Sequence, residues 1–381
     1  MNKSKRTFFY GLIQSSYWLS YLPVFAYGTA YLLYAGYSNV QIGALFASAN
    51  ILSIFTQSII ARKVDQGKLA MKQVMLSLAG IAILMAGMLF FVAPLAVFYL
   101  FLLLSIMVLQ PFVNSLGVSG DELDFGISRG MASFLYSVGS LLLGKLFVVY
   151  SIGLAPLMGI VLLGLHLFLL LSYPFPASTE METSHEGVRG MLKIYPSLGY
   201  FLVAVVFLFF GYSMFHNYLV HVVKNIGGDE GALGATIAIS AFSEVPTMFL
   251  FTRILRKYSA RTLLVVSAFF FLFKGILDVS ANSLGVLYAV QMLNALNFGL
   301  FLPTAIYFLS NHLRKEHRST GQAFLTSSII AGNVLASVVG GMIMDYYSVN
   351  TLLRVILVMG TLGFLLMNKA MKGTKDEHRY S

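Results

Sequence analysis

Apolar runs long enough to cross a lipid bilayer follow one another along nearly the whole chain. A transmembrane helix needs roughly 20 apolar residues, and charged, Gly, Pro and Asn residues divide the sequence into twelve such runs. Because the runs lack the alternation of a membrane β-strand, each is predicted to be a helix. The predicted spans are residues 8–34, 40–61, 71–92, 96–118, 127–150, 153–173, 199–223, 231–252, 261–282, 285–311, 319–345 and 350–370.

The composition excludes several classes of protein. Of the 381 residues, 58% are hydrophobic and 10% are charged, whereas a soluble domain carries about 25% charged residues. A water-soluble enzyme and a disordered chain are therefore excluded. Cysteine is absent, which removes disulfides, thiol catalysis and cysteine-ligated metal sites. Since the sequence also lacks a Walker-type nucleotide loop and a zinc-protease motif, we predict no enzymatic activity and no cofactor.

Basic residues indicate how the chain lies in the membrane. The formal net charge is +10, which would suggest nucleic-acid binding in a soluble protein but marks the cytoplasmic side of a membrane protein. With the N-terminus inside, 21 of the 25 Lys and Arg residues fall on inside segments. We predict a multi-pass protein of the cytoplasmic membrane with both termini cytoplasmic and no nucleic-acid partner.

A polar stretch at residues 174–198 separates the first six spans from the last six. The two sets resemble each other: Gly130 and Gly321 open similar motifs in the fifth and eleventh spans, and a basic loop follows the second and the eighth. We predict two pseudo-symmetric six-helix halves, residues 1–173 and 199–381, joined by a cytoplasmic linker at 174–198. Repeats of this kind place a solute site near the membrane midplane.

Several motifs together suggest a family. The chain resembles the major facilitator superfamily, and within it the oligosaccharide:proton symporter (lactose permease-like) group, over nearly its whole length. This resemblance implies a twelve-helix fold and secondary transport of a sugar or glycoside. The motifs that carry it are Gly43-x-Leu45-Phe46-Ala47, Ser53-x-Phe55-x-Gln57, Asp124-Phe125-Gly126-x-x-Arg129, Glu244 in the eighth span, Gln291-Met292-Leu293-Asn294 and Gly340-Gly341-x-x-x-Asp345.

The sequence departs from the family pattern at named positions. In the loop after the second span, Ala61 replaces the family's first Gly, while Asp65 keeps the acid and is identified as the residue of the conformational loop. In the group's solute and proton site, the acid of the fourth helix corresponds to Asn114. The His and Glu of the tenth helix correspond to Asn294 and Asn297, and the Arg of the ninth to Lys274, so coupling of the group's own type is not implied.

Arg129 and Tyr136 are predicted to contact the solute. They are seven residues apart, two turns along one helix face. A guanidinium can donate to sugar hydroxyls while an aromatic ring packs on the C–H face of the sugar. The resemblance places Arg129 on the group's sugar-binding Arg and Tyr136 on its stacking aromatic. The alternative places Arg129 among lipid headgroups, since it is five residues from Asp124.

Three ionisable residues lie inside apolar spans of the second half, where an unpaired charge is costly. Glu244 and Lys274 are each about 18–20 Å from a basic loop at 1.5 Å per residue, so they can meet at one level. We predict that they come within bonding reach in at least one conformation. Asp278 is four residues after Lys274 and competes for the same ammonium. We predict that these three residues serve proton coupling or gating; the alternative is a static bridge between two helices.

Amide and imidazole groups complete the predicted site. Asn114, Asn294 and Asn297 are assigned to solute binding. Asn294 and Asn297 share a face with Gln291, and amides in membrane helices either bind hydroxyl groups or bond helix to helix. His216 and Asn217 in the seventh span are assigned to solute contact, with plain packing as the alternative. His216 and His221 lie about 140° apart on a helix, so no metal site is predicted. Tyr17, Tyr21 and Phe25 form one aromatic stripe, either lining a cavity or packing in the core.

The sequence predicts a secondary transporter working by alternating access. Its predicted partners are a small polar solute, protons as the candidate coupling ion and the lipid bilayer, and the chain is expected to act as a monomer. The alternative is an exporter of amphiphilic compounds on the same fold, because aromatic and Met-rich walls suit such ligands. A polytopic enzyme would need a polar catalytic cluster near an interface, and a receptor would need larger loops.

Overall fold

The structure is a computed structural model that describes residues 3–91, 95–116, 125–173, 175, 188–314 and 317–373. Every regular element in these ranges is helical, and the longer helices follow the predicted apolar runs closely. The helices are α1 (Lys3–Tyr21), α2 (Gly28–Tyr34), α3 (Asn39–Asp65), α4 (Met71–Met88), α5 (Leu95–Ser115), α6 (Phe125–Val149), α7 (Ala155–Ser172), α8 (Val188–Ile194), α9 (Pro196–Asn217), α10 (Leu219–Asn225), α11 (Glu230–Lys257), α12 (Ala260–Ser280), α13 (Leu284–Gln291), α14 (Phe298–His312), α15 (Arg318–Tyr346) and α16 (Val349–Lys372).

Eleven helical stretches of the described residues are long and apolar enough to cross a membrane. They correspond to the second to twelfth predicted spans. The first predicted span, 8–34, is also helical and comprises α1, a π-helical turn and α2. The prediction of an all-α polytopic membrane protein with twelve transmembrane helices is therefore confirmed.

Serine side chains begin several of these helices. Ser38 accepts a hydrogen bond from the backbone of Gln41, whose side chain bonds back to the Ser38 backbone, which forms a capping box before α3. Ser259 and Ser348 cap α12 and α16 in the same way, through their side-chain oxygens. A cap satisfies backbone N–H groups that the first helical turn leaves without partners.

The first span is interrupted where its sequence contains a proline. Residues Leu22–Ala26 form a π-helical turn with Pro23 near its start, and the Tyr27 N–H donates to the Leu22 carbonyl at 3.0 Å, five residues back. Because proline has no N–H, it cannot make the regular helical bond, and π turns of this kind occur at single helix irregularities. Directly after this turn, the Tyr27 hydroxyl donates to the Ser140 carbonyl at 2.7 Å.

The tenth span, predicted as continuous over 285–311, is broken in the structure. α13 ends at Gln291, a 3₁₀ turn covers Met292–Ala295, and α14 begins at Phe298. The Asn297 side chain accepts a bond from the backbone N–H of Phe298 and so caps the new helix. Asparagine side chains compete with the regular helical bonds for backbone N–H groups. The interruption therefore lies where the span contains asparagines. The predicted site residues Asn294 and Asn297 consequently lie in the interruption.

The described chain forms two compact units. Unit 1 comprises Met1–Met181 and Gly227–Phe242, and unit 2 comprises Glu182–Ile226 and Ser243–Ser381. α11 contributes residues to both units. The division into six-helix halves at 174–198 stays a prediction, because most of that linker lies outside the described residues.

Within unit 1, α6 and the first part of α11 approach each other through small residues. The Ser137 hydroxyl donates to the Ala238 carbonyl at 2.8 Å, and the Ser140 hydroxyl donates to the Gly234 carbonyl at 3.2 Å. A Cβ atom added at Gly144 would lie 3.1 Å from the Gly234 Cα and 2.8 Å from the Glu230 carbonyl oxygen. Small residues let membrane helices pack backbone to backbone.

Gly234→Ala is expected to lower the thermal stability of the purified protein in detergent. The added Cβ would overlap the Tyr27 hydroxyl oxygen and lie 2.5 Å from the Ser140 carbonyl oxygen, and overpacking of this kind costs about 1–3 kcal/mol. Gly80→Ala in α4 is the matched control, because nothing lies within 4 Å of its added Cβ. Equal melting temperatures for the two variants would contradict the tight packing of α6 on α11.

Candidate functional site

The two predicted solute contacts in α6 both touch one indole ring. The Arg129 guanidinium carbon lies 4.5 Å from the centroid of the Trp18 ring. Tyr136, two turns further along α6, meets the same indole edge-on, with ring centroids 6.3 Å apart and an interplanar angle of 86°. A guanidinium over an indole face is a favourable cation–π arrangement. Trp18 thus brings Arg129 and Tyr136 into one aromatic and cationic cluster.

Two amides extend this cluster from α1 to α5. The indole N–H of Trp18 donates to Gln14 Oε1 at 3.3 Å, and Gln14 Nε2 donates to Asn114 Oδ1 at 3.1 Å. The Tyr10 hydroxyl accepts a further, shorter bond from the same Gln14 amide. Gln14 is fully buried, so these bonds satisfy an amide that would be costly to leave alone. They also fix the orientation of the predicted site residue Asn114.

Aromatic rings continue along α1 beyond Trp18. Its ring meets Tyr21 edge-on at a centroid distance of 5.5 Å, Tyr21 stacks on Phe25 at 4.7 Å, and Phe25 stacks on Phe46 of α3 at 5.2 Å. Within the predicted stripe, Tyr17 is fully buried, and its hydroxyl donates to the Ile106 carbonyl at 3.1 Å. Tyr17 therefore belongs to the core of unit 1.

In unit 2, the ion pair at Lys274 differs from the expected one. Lys274 Nζ donates to Asp278 Oδ2 at 2.8 Å and lies 3.9 Å from the centroid of the Phe215 ring. Gln291 Nε2 donates to the other carboxylate oxygen of Asp278 at 3.4 Å. Lys274 and Asp278 are 5% and 2% exposed. At such burial an ion pair needs these additional bonds to offset the loss of hydration.

Glu244 has a different partner from the one predicted. Its Oε1 accepts a bond of 2.6 Å from Nδ2 of Asn294, and Lys274 pairs with Asp278 rather than with Glu244 in this structure. α14 approaches closely here, because a Cβ added at Gly299 would lie 3.4 Å from the Glu244 Cα. A contact between Glu244 and Lys274 in at least one conformation stays a prediction, since their matched depth does not fix the direction of a side chain around its helix.

A small cavity in unit 2 connects several predicted site residues. Its volume of about 20 Å³ is room for a single water molecule. The polar or ionisable groups on its wall are His216, Lys274, Asp278, Asn297 and Tyr212, and the remaining wall is aromatic, aliphatic or glycine. The tenth-span break therefore places Asn297 on a cavity wall beside the Lys274–Asp278 pair.

Two predicted residues lie elsewhere. Asn217 is buried and its Nδ2 donates to the Ser337 hydroxyl at 3.0 Å, so it joins α9 to α15. Asp65 ends α3 and is exposed. Asp124, the acid of the motif before Arg129, lies outside the described residues.

Sequence reasoning assigned no site role to Trp18 or Gln14. Both lie on α1, four residues apart and hence on one helix face. A glutamine inside an apolar span, one turn before the chain's single tryptophan, was the available signal. Their contacts to α5 and α6 span a hundred residues of sequence or more and could be seen only in the folded structure.

The fold and the membrane helices agree with a family comparison. The sequence model of the family described as "MFS_1 like family" matches residues 10–355. The chain belongs to this family. The predicted membership of the major facilitator superfamily is thereby confirmed, and with it a multi-pass integral membrane protein of a transporter family. Residues 10–355 include every predicted site residue.

Two curated relatives are transporters by name. The chain is 24% identical over 203 residues to the "Uncharacterized transporter YwbF" of Bacillus subtilis (strain 168), covering 52% of this chain and 51% of that protein. It is 22% identical over 211 residues to the "Maltose permease" of Geobacillus stearothermophilus, covering 53% of this chain and 52% of the permease. The matched region thus spans about half the length of each relative.

Solved structures of low sequence identity share the fold. The nucleoside transporter NupG matches with a TM-score of 0.77 at 16% identity, covering 98% of this chain and 100% of that one. A bacterial homologue of the human lysosomal transporter Spinster, in an inward-facing and unoccupied conformation, matches with a TM-score of 0.69 at 12% identity, covering 99% of both chains. At these identities the likeness shows the major facilitator fold alone.

Proposed function

We propose that this protein is a secondary active transporter that moves a small hydroxylated solute, a sugar or glycoside, across the cytoplasmic membrane by alternating access. The observation that carries the proposal is the cluster of Trp18, Arg129 and Tyr136 with the Gln14–Asn114 amide pair. An indole plate suits the C–H face of a sugar, while a guanidinium and amides suit its hydroxyl groups. The maltose permease among the relatives supports the same class of solute.

Proton coupling is the second part of this proposal. Unit 2 buries Lys274 and Asp278 as an ion pair, and Glu244 with an amide partner. Carboxylates held inside a membrane protein by bonds of this kind commonly mark proton pathways. Protonation of Asp278 would neutralise its carboxylate and release Lys274 from the pair. The two residues would thus have a paired and an unpaired state, and proton binding would change one into the other.

Uptake into proteoliposomes tests the proposal. The purified protein is expected to accumulate radiolabelled maltose or a simple glycoside when the outside is acidic, and to lose accumulation when a protonophore collapses the gradient. A nucleoside and a lipophilic cationic dye complete the panel. Absence of sugar uptake together with extrusion of the dye would contradict the proposal and support the exporter of amphiphilic compounds.

Both termini and the linker are proposed to be cytoplasmic, and the cysteine-free chain allows a direct test. A cysteine placed at residue 185 should react with a membrane-impermeant maleimide only after the cells are permeabilised, because basic segments stay inside. A cysteine at Tyr347, which is 72% exposed and lies in a predicted outside loop, should react in intact cells. Labelling of residue 185 in intact cells would overturn the orientation.

A further inference from the structure

His216 is a buried imidazole whose bonding is incomplete. It lies in the last turn of α9, with its ring centroid 4.2 Å from that of Tyr212. Among the described residues, its Nε2 has no hydrogen-bond partner although the atom is buried. A buried polar atom without a partner has lost its hydration and gained no bond in exchange. Buried polar groups of this kind are usually satisfied by a partner such as an ordered water.

The residues that line the cavity next to His216 determine which groups can exchange a proton with its imidazole. The cavity of about 20 Å³ is shared with Lys274 and Asp278 of α12. Asn297 from the tenth-span break and Ile356 with Gly360 from α16 face the same cavity and carry no charge. On α9 itself, the neighbouring titratable group is Tyr212. Among the described residues that line this cavity, the charged groups are Lys274 and Asp278, the two members of the ion pair.

The geometry points to His216 as the proton relay that loads and unloads Asp278 through one water molecule in this cavity. The inference rests on the proton coupling proposed above. A cavity of this volume holds one water, and its polar wall offers the partners such a water needs. An imidazole ring can both take and give a proton at its ring nitrogens, and His and Asp chains form proton relays in membrane transporters.

The transfer balances without any further reactant. Protonated His216 gives the proton on Nε2 to the water, and the water gives one of its own protons to the carboxylate of Asp278. One N–H bond breaks, one O–H bond forms, and the water keeps its composition. The positive charge leaves the imidazole, the carboxylate becomes neutral, and Lys274 is left without its ionic partner. The reverse sequence unloads the proton.

A pH-jump experiment followed by infrared spectroscopy tests the relay without any solute. The wild-type protein in lipid is moved rapidly from alkaline to acidic pH, and the carbonyl band of protonated Asp278 is identified as the band missing in Asp278→Asn. His216→Phe is expected to slow the rise of this band at least tenfold and to leave its titration midpoint unchanged. A merely structural role would shift the midpoint instead of the rate.

Matched variants separate the possible outcomes. His216→Gln keeps a polar side chain of similar size but cannot carry a proton, so it should slow the band as His216→Phe does, and it serves if His216→Phe does not fold. His221→Gln, five residues further along the chain in α10, should behave as the wild type. An unchanged rate in both His216 variants, or the absence of a titrating Asp278 band in the wild type, overturns the relay. Failure of sugar uptake would instead count against the proposed function, because this experiment contains no solute.

Discussion

Arg129→Lys is expected to weaken solute binding about ten- to a hundredfold while the protein remains folded. Hydrogen bonds to a charged group contribute roughly 1.5–3 kcal/mol, and lysine keeps the charge but loses the planar fork of donors. The guanidinium also lies over the Trp18 ring, a position that an ammonium fills less well. The measurement is a binding titration of the purified variant against the solute identified by uptake.

Controls separate the site from the scaffold. Arg354→Lys makes the same chemical change at an exposed position of α16 and should leave affinity unchanged. Tyr136→Phe is expected to be mild and Tyr136→Ala severe, because phenylalanine keeps the ring that meets the indole edge-on and alanine removes it. Unchanged affinity in both Arg129→Lys and Tyr136→Ala would place these residues outside the solute site and remove the main support for a sugar.

Asp278→Asn is expected to destabilise the protein by roughly 3–5 kcal/mol, because removing one partner of a buried pair leaves the other charge without compensation. Lys274 would retain the Phe215 ring but no carboxylate at 2.8 Å. Thermal unfolding of the purified protein measures the loss. The double variant Lys274→Met/Asp278→Asn carries no buried charge at this position and should recover most of the stability.

Asp278→Asn, together with Glu244→Gln, also tests proton coupling. Asp278→Asn and Glu244→Gln cannot take up and release a proton, so both should abolish accumulation driven by a pH gradient and spare solute exchange, which needs no net proton movement. The glutamine at 244 still offers an oxygen to Asn294, which preserves the bond of 2.6 Å seen for the glutamate.

The stability prediction has its own control. If the double variant Lys274→Met/Asp278→Asn were no more stable than Asp278→Asn alone, the unpaired Lys274 charge would not be the source of the destabilisation.

The membrane helices could be predicted from sequence because hydrocarbon leaves the backbone no other way to satisfy its hydrogen bonds. The interruptions could not all be predicted in this way. Pro111, Pro246 and Pro303 lie inside α5, α11 and α14 without ending them, while the tenth span breaks near asparagines. Neighbouring helices decide which irregularity a membrane helix adopts, and periodicity does not contain that information.

Only the local geometry of the candidate site could be predicted from the sequence, because contacts between helices are not contained in the spacing of residues along one helix. The spacing of Arg129 and Tyr136 gave their shared helix face correctly, because helical geometry is local. Counting residues from a basic loop gave the depth of Glu244 and Lys274 but not their directions. Asp278, one turn away on the same helix, lies close to Lys274 whatever the neighbouring helices do, and it is the carboxylate that the ammonium binds.

The position of Trp18 makes the protein its own optical reporter. It is the single tryptophan of the chain, so indole fluorescence excited beyond the tyrosine band comes from one known ring. That ring carries the Arg129 guanidinium on its face and bonds Gln14 through its N–H. A solute that displaces the Arg129 guanidinium or the Gln14 amide from the indole changes the wavelength and the quenching of its emission. Affinity and binding kinetics can thus be followed in the unlabelled, unmutated protein.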